Sequence, residues 1–69
     1  MDAPAKRHED AARRHEEAAQ HHDKAAAFWS AQGDDERVEW QRRAADLERQ
    51  LSQLERDWAR IGSERPTSK

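Results

Sequence analysis

A series of histidines at heptad spacing limits what this chain can fold into more than any other feature. His8, His15 and His22 stand seven residues apart, and Trp29 continues the series. Alanine pairs recur at the same interval, as Ala11-Ala12, Ala18-Ala19 and Ala25-Ala26. A strict seven-residue period is that of a helix holding one face against a neighbour. With His8 at position a, the alanines take d and e, and d, a and e are contiguous on a helical wheel. The histidines are therefore expected on the midline of an alanine stripe. Positions b, c and f carry Glu9, Asp10, Arg13, Glu16, Glu17, Asp23 and Lys24 and should face solvent. The g column runs Arg7, Arg14, His21, Phe28, so the covered face should widen towards its C-terminal end.

Punctuation residues place the helix ends. Asp2 fits a helix cap and Pro4 a first turn. Gly33 and Gly62 fit the residue just past a helix C-terminus, where φ > 0 is needed. Asp34 fits the N-cap of a second helix, with Asp35 and Glu36 favourable beside its positive end. The expected elements are a helix over about 4–32, a turn at 33–34, a helix over about 35–61 and a flexible polar tail over 63–69. Residues 1–69 then form one domain. Two helices of matched length joined by so short a turn make an antiparallel hairpin. The segment FWSAQGDDERVEWQRRAADL resembles a single tetratricopeptide unit in the spacing of its aromatic, Gly and Ala positions. The likeness covers under half the chain, and Arg42 stands where that motif carries a large apolar residue. One such unit is too few to be stable alone, so the likeness is one of helix-turn-helix geometry.

The second helix has its own pattern. Trp40, Ala44, Leu47, Leu51, Leu54, Trp58 and Ile61 alternate in steps of four and three, which is a coiled-coil seam. Val38, Ala45, Ser52 and Ala59 form a second column of small residues, beyond Gln41, Glu48 and Glu55. Such a column points to close approach of another helix. Folding at Gly33-Asp34 should pair residues whose numbers sum to about 67. That places His22 near Ala44 or Ala45, His15 near Leu51 and Ser52, and His8 near Trp58. Alanine on the first helix should then face leucine and tryptophan on the second.

Composition says how far such a hairpin can stand alone. Hydrophobic residues are 33% of the 69, but thirteen of them are alanine. Beyond Met1, the larger ones are Phe28, Trp29, Val38, Trp40, Leu47, Leu51, Leu54, Trp58 and Ile61. Ordering a chain costs roughly 1.5 kcal/mol per residue against roughly 25 cal/mol per Å² of apolar burial. Nine large side chains on two helices do not meet that cost, so a staple, a metal or a partner chain is expected. There is no cysteine, which excludes disulfides and thiolate-bound zinc. A dimer, closing as a four-helix bundle, is the expected assembly, with another helical protein as the other possible partner. The expected interface is Trp29, Trp40, Leu47, Leu51, Leu54, Trp58 and Ile61.

The histidines admit three roles. Metal binding would need three or four ligands around one point. Residues seven apart on a helix are separated by roughly 10.5 Å, so no two of His8, His15 and His22 can share an ion within one chain. A metal site would have to be built between chains. As seam residues, each ring would instead cover its neighbours and offer one nitrogen to Glu48 or Glu55. Neutral rings in an apolar seam would make the assembly lose stability in acid, and a pairing with Glu48 or Glu55 would reverse that sign.

Other functions find less support. The net charge is −2 with signs mixed along the chain, which argues against a nucleic-acid surface. The Arg42, Arg49 and Arg56 column is the best phosphate-binding stripe, but Glu39, Asp46 and Glu55 adjoin it. No nucleophile–base pair or glycine-rich phosphate loop occurs, so no enzyme activity and no cofactor are expected. No apolar run has the roughly 20 residues of a membrane span and no signal peptide is seen, so a cytoplasmic location is expected. The expected function is an oligomerisation or protein-interaction module, with a metal-binding protein as the alternative and a nucleic-acid-associated protein third.

Overall fold

The computed structural model describes residues 3–64, with side chains described for 4–61. Two helices account for nearly all of it: α1, Ala3–Ala31, and α2, Asp35–Glu64. They pack antiparallel as a hairpin, in the order expected. The expected cap Asp2 and the segment 65–69 lie outside the described residues. α2 runs through Gly62 instead of stopping there, and Gly33 is the one glycine with positive φ among the described residues, at 75°. A glycine near a helix end costs only about 1 kcal/mol relative to alanine, so the second glycine need not terminate anything.

Hydrogen bonds explain the turn. Gly33 N–H donates to the Ser30 carbonyl at 3.0 Å, and Asp34 N–H donates to the Trp29 carbonyl at 3.0 Å. These are the paired 5→2 and 6→1 bonds of a helix ended by a left-handed residue, and they satisfy carbonyls that have no partner further along. The chain enters α2 at once. The Asp34 carboxylate accepts the Arg37 backbone N–H at 3.0 Å, and the Asp34 carbonyl accepts the Val38 N–H at 3.1 Å. Arg37 in turn bonds the Asp34 carboxylate and lays its guanidinium 4.7 Å above the Trp29 ring. Helix end, cap and cation are thus one connected unit.

So tight a turn brings the helix axes close, and only small side chains fit between them. The buried column on α1 is Ala5, Ala12, Ala19 and Ala26, and on α2 it is Val38, Ala45, Ser52 and Ala59. Ser52 is the largest side chain that is fully buried, and it donates from Oγ to the Ala12 carbonyl at 3.0 Å. This corrects two expectations. The α1 seam is centred on the e alanines, with the histidines at its margin and not on its midline. The α2 column that meets α1 is the small one, not the Leu/Trp ridge. The register also shifts, with paired numbers summing to 63 or 64 instead of 67. The turn folds the chain back over the last residues of α1, so α2 begins level with Trp29.

The hairpin is a single layer of helix. Its principal extents are 57 × 16 × 9 Å and its radius of gyration is 16.1 Å. A compact domain of this length would have a radius of about 11 Å.

Candidate self-association face

Small residues at the seam leave two unlike faces on the slab. Three hydrogen bonds run down one margin. His8 Nδ1 lies 2.5 Å from Glu55 Oε1, His15 Nδ1 lies 2.6 Å from Glu48 Oε1, and His22 Nδ1 lies 2.7 Å from Gln41 Oε1. A carboxylate or an amide oxygen can only accept, so each ring donates from Nδ1–H. The three rungs repeat every seven residues because both helices keep the heptad from the turn outwards. Histidine stands where a long polar ring can cross the edge of an alanine seam and bond the opposite helix.

Beyond the ladder on the same face, α2 presents the columns Ala44, Leu51, Trp58 and Trp40, Leu47, Leu54, Ile61. Here six of the seven expected interface residues are brought together and uncovered, Trp29 being the exception. Exposure runs from 40% at Leu51 and 42% at Ile61 to 64% at Trp40. Trp58 stands edge-on to the His8 ring at 5.9 Å, as the sequence placed it, and Trp40 edge-on to His22 at 6.4 Å. Trp29, half-buried, sits at the turn end under Arg37 and against Phe28, with ring centroids 5.0 Å apart. It lines a hollow with Glu36, Arg37, Trp40 and Gln41. Phe28 was expected inside the widening face but is 55% exposed. On α1 this face carries the half-buried stripe Ala11, Ala18 and Ala25.

The opposite face is charged. Asp23 of α1 is bonded by Arg49 of α2, and Arg56 donates to Ser52 Oγ at 2.8 Å. The side-chain bond to Asp23 holds the Arg49 guanidinium above its ordinary range, with Glu16 and Asp46 adding to the effect. Two of the three arginines in the candidate phosphate stripe are therefore engaged within the hairpin, in keeping with the charged face expected there.

His8 and His15 meet the acceptors expected of seam residues, Glu55 and Glu48, but each keeps about a third of its side chain exposed and so does not lie in an apolar seam. Gln41 as the partner of His22 was missed, although it continues the Glu55, Glu48 series at the same interval. Among the described residues no three His, Cys, Asp or Glu side chains come together to hold a metal ion. Among those residues, too, no helix is long and apolar enough to cross a membrane. No protein-family model matches the chain, and no match was found among curated proteins or solved structures.

Proposed function

We propose that this chain is a non-catalytic oligomerisation or protein-interaction module that dimerises through its Leu/Trp face into a four-helix bundle. The exposed ridge carries the reading. Trp40, Leu47, Leu51, Leu54, Trp58, Ile61 and Phe28 lie 40% or more open to solvent in a single hairpin. At about 150–250 Å² per aromatic side chain and somewhat less per leucine, they present on the order of 800 Å². That equals the roughly 800 Å² each partner gives to a standard interface and exceeds the roughly 300–600 Å² of the largest patch on a typical monomer. The buried core supports the same reading, because it holds nothing larger than Val38 and Ser52. A second copy also suits the ladder. Any cover for this face buries polar rings spaced by seven residues, and another hairpin brings polar groups at the same spacing.

Replacing Leu51 with glutamate tests this at the middle of the ridge. Sedimentation equilibrium should return twice the 8.1 kDa chain mass for the parent and a shift to monomer for the variant. A monomeric parent would refute the reading.

A second reading has one observation in its favour. His8 and His15 donate Nδ1–H to carboxylates, which is how metal-ligating histidines are commonly oriented, and this leaves Nε2 available. Two copies could then supply the ligands that one lacks. Stoichiometric zinc raising the melting temperature of the parent but not of a His8, His15, His22 triple alanine variant would support it.

A further inference from the structure

The face described above is lopsided, and its lopsidedness restricts how two copies can meet. This inference rests on the self-association reading. Across the face from α1 to α2 lie the alanine stripe Ala11, Ala18, Ala25, then the histidines, then Glu55, Glu48 and Gln41, then the Leu/Trp ridge. One half is thin and the other thick. Two such faces can be closed by a two-fold axis in only two ways. With the axis across the helices, the turns lie at opposite ends and each helix covers its own copy. With the axis along the helices, the turns lie at the same end and α2 covers the partner's α1.

We propose that the two hairpins pair with their turns at the same end, so that each Leu/Trp ridge lies on the partner's alanine stripe. Size is the first argument. Opposite turns would set Trp40, Leu47, Leu54 and Trp58 against the same bulky ridge of the partner, and alanine against alanine. The thick halves would hold the thin halves apart and leave a trough, and unfilled volume in a core is costly. Turns at the same end set Trp40, Leu47 and Leu54 against Ala25, Ala18 and Ala11. The levels agree as well. In one hairpin the rungs pair His22 with Gln41 and His15 with Glu48. Leu47 is therefore within two residues of the level of Ala18, Trp40 of Ala25 and Leu54 of Ala11. Two residues of helix are about 3 Å. An axis along the helices leaves those levels unchanged.

Charge is the second argument. The outer edge of the face on α1 carries Arg7, Arg14, His21 and Phe28, all exposed. The outer edge on α2 carries Glu36, Arg43, Gln50 and Asp57. Opposite turns run the edges in reverse, so Arg14 of one copy meets His21 of the other and Glu36 meets Asp57, with no opposite charges paired. Turns at the same end bring Arg7 level with Asp57 of the second copy, Arg14 level with Gln50 and His21 level with Arg43, so one opposite-charge pair forms. Opposite charges facing each other favour one orientation over another even when such pairs add little affinity. The arrangement also stacks each rung on its own copy: His15–Glu48 on His15–Glu48, and His8–Glu55 on His8–Glu55. Helix dipoles do not choose between the two arrangements, because every adjacent pair of helices is antiparallel in both.

Spin labels at the turn decide the matter. Gln32→Cys and, separately, Ser30→Cys place a label on exposed positions beside Gly33. Circular dichroism and sedimentation first establish that each labelled chain is helical and dimeric. Double electron–electron resonance should then give one separation under about 25 Å, as set by helix axes 8–10 Å apart. Opposite turns would give about 40 Å or more, the length of α1, and would overturn the proposal. A labelled chain that is monomeric, like its unlabelled parent, would remove the self-association premise instead, and the proposal would fall with it.

Discussion

Asp34 donates its backbone N–H to the Trp29 carbonyl at 3.0 Å, and this single bond sets the register of the whole hairpin. Stepping outwards by seven residues on each helix from Trp29 and Asp34 gives His22 and Gln41, then His15 and Glu48, then His8 and Glu55. Those are the three rungs observed. Local turn geometry and long-range pairing are thus the same fact read at two distances.

Gly33→Ala is the direct probe of that turn. A β-carbon at Gly33 meets nothing within 4 Å, but φ is 75°. The expected loss is therefore backbone strain alone, about 1–2 kcal/mol, with Gly33→Asn costing less. Urea denaturation of both variants checks this, and an unchanged midpoint for alanine would mean the left-handed turn is not kept in solution.

At the seam, the constraint is volume. Ala19 and Ala45 are essentially inaccessible. Ala19→Leu should force the helices apart and cost about 1–3 kcal/mol or more. Leucine is the better helix residue at an exposed site than most, so a stable Ala19→Leu variant would place the seam on another face.

The ladder gives a cycle of variants. His15→Leu leaves the Glu48 carboxylate at the seam margin without its donor, which should cost about 1–3 kcal/mol. Adding Glu48→Leu removes the stranded group and should restore most of the loss. Thermal melts of the parent, the two single variants and the double variant measure the coupling. Losses that simply add would deny the pairing.

Acid sensitivity follows from two carboxylates. The Arg37 backbone N–H, and then its side chain, hold Asp34 below the ordinary carboxylate value of 3.8. The Arg13 side-chain bond does the same for Asp10 against an opposing desolvation, with smaller help from the charges of Lys6, Arg13 and Arg14. A lowered folded value means the unfolded chain binds more protons. The stability these groups supply is complete above about pH 4 and is lost as pH falls through their folded values. Both are half-buried at the surface and still reached by solvent, so the effect is modest. Asp34→Asn keeps a capping oxygen and removes the titration. Urea midpoints between pH 3 and 6 should fall less steeply for it than for the parent, and equal slopes would contradict the assignment.

Much of this was legible before the fold. Heptad spacing of His8, His15 and His22 and the Gly33-Asp34 pair fix two helices and a turn, and Glu48 and Glu55 stood out as acceptors. The choice of inner column was not legible. Leu51 and Ser52 are neighbours on one helix, and apolarity favours Leu51 for the seam. Closeness of the axes, set by a three-residue turn, favours Ser52. The structure follows the second rule, because backbone proximity is imposed by the chain while a ridge of leucine can still be covered from outside. The same reversal moved the histidines from the midline of the alanines to their edge.

Covering that ridge is the central claim, and a folding partner that is a second copy makes stability depend on concentration. Melting followed by circular dichroism across a hundredfold range of chain concentration is the most direct test. The melting temperature should climb steadily with concentration, as linkage requires for a folded dimer. A concentration-independent melt from a particle of the single-chain mass would contradict it.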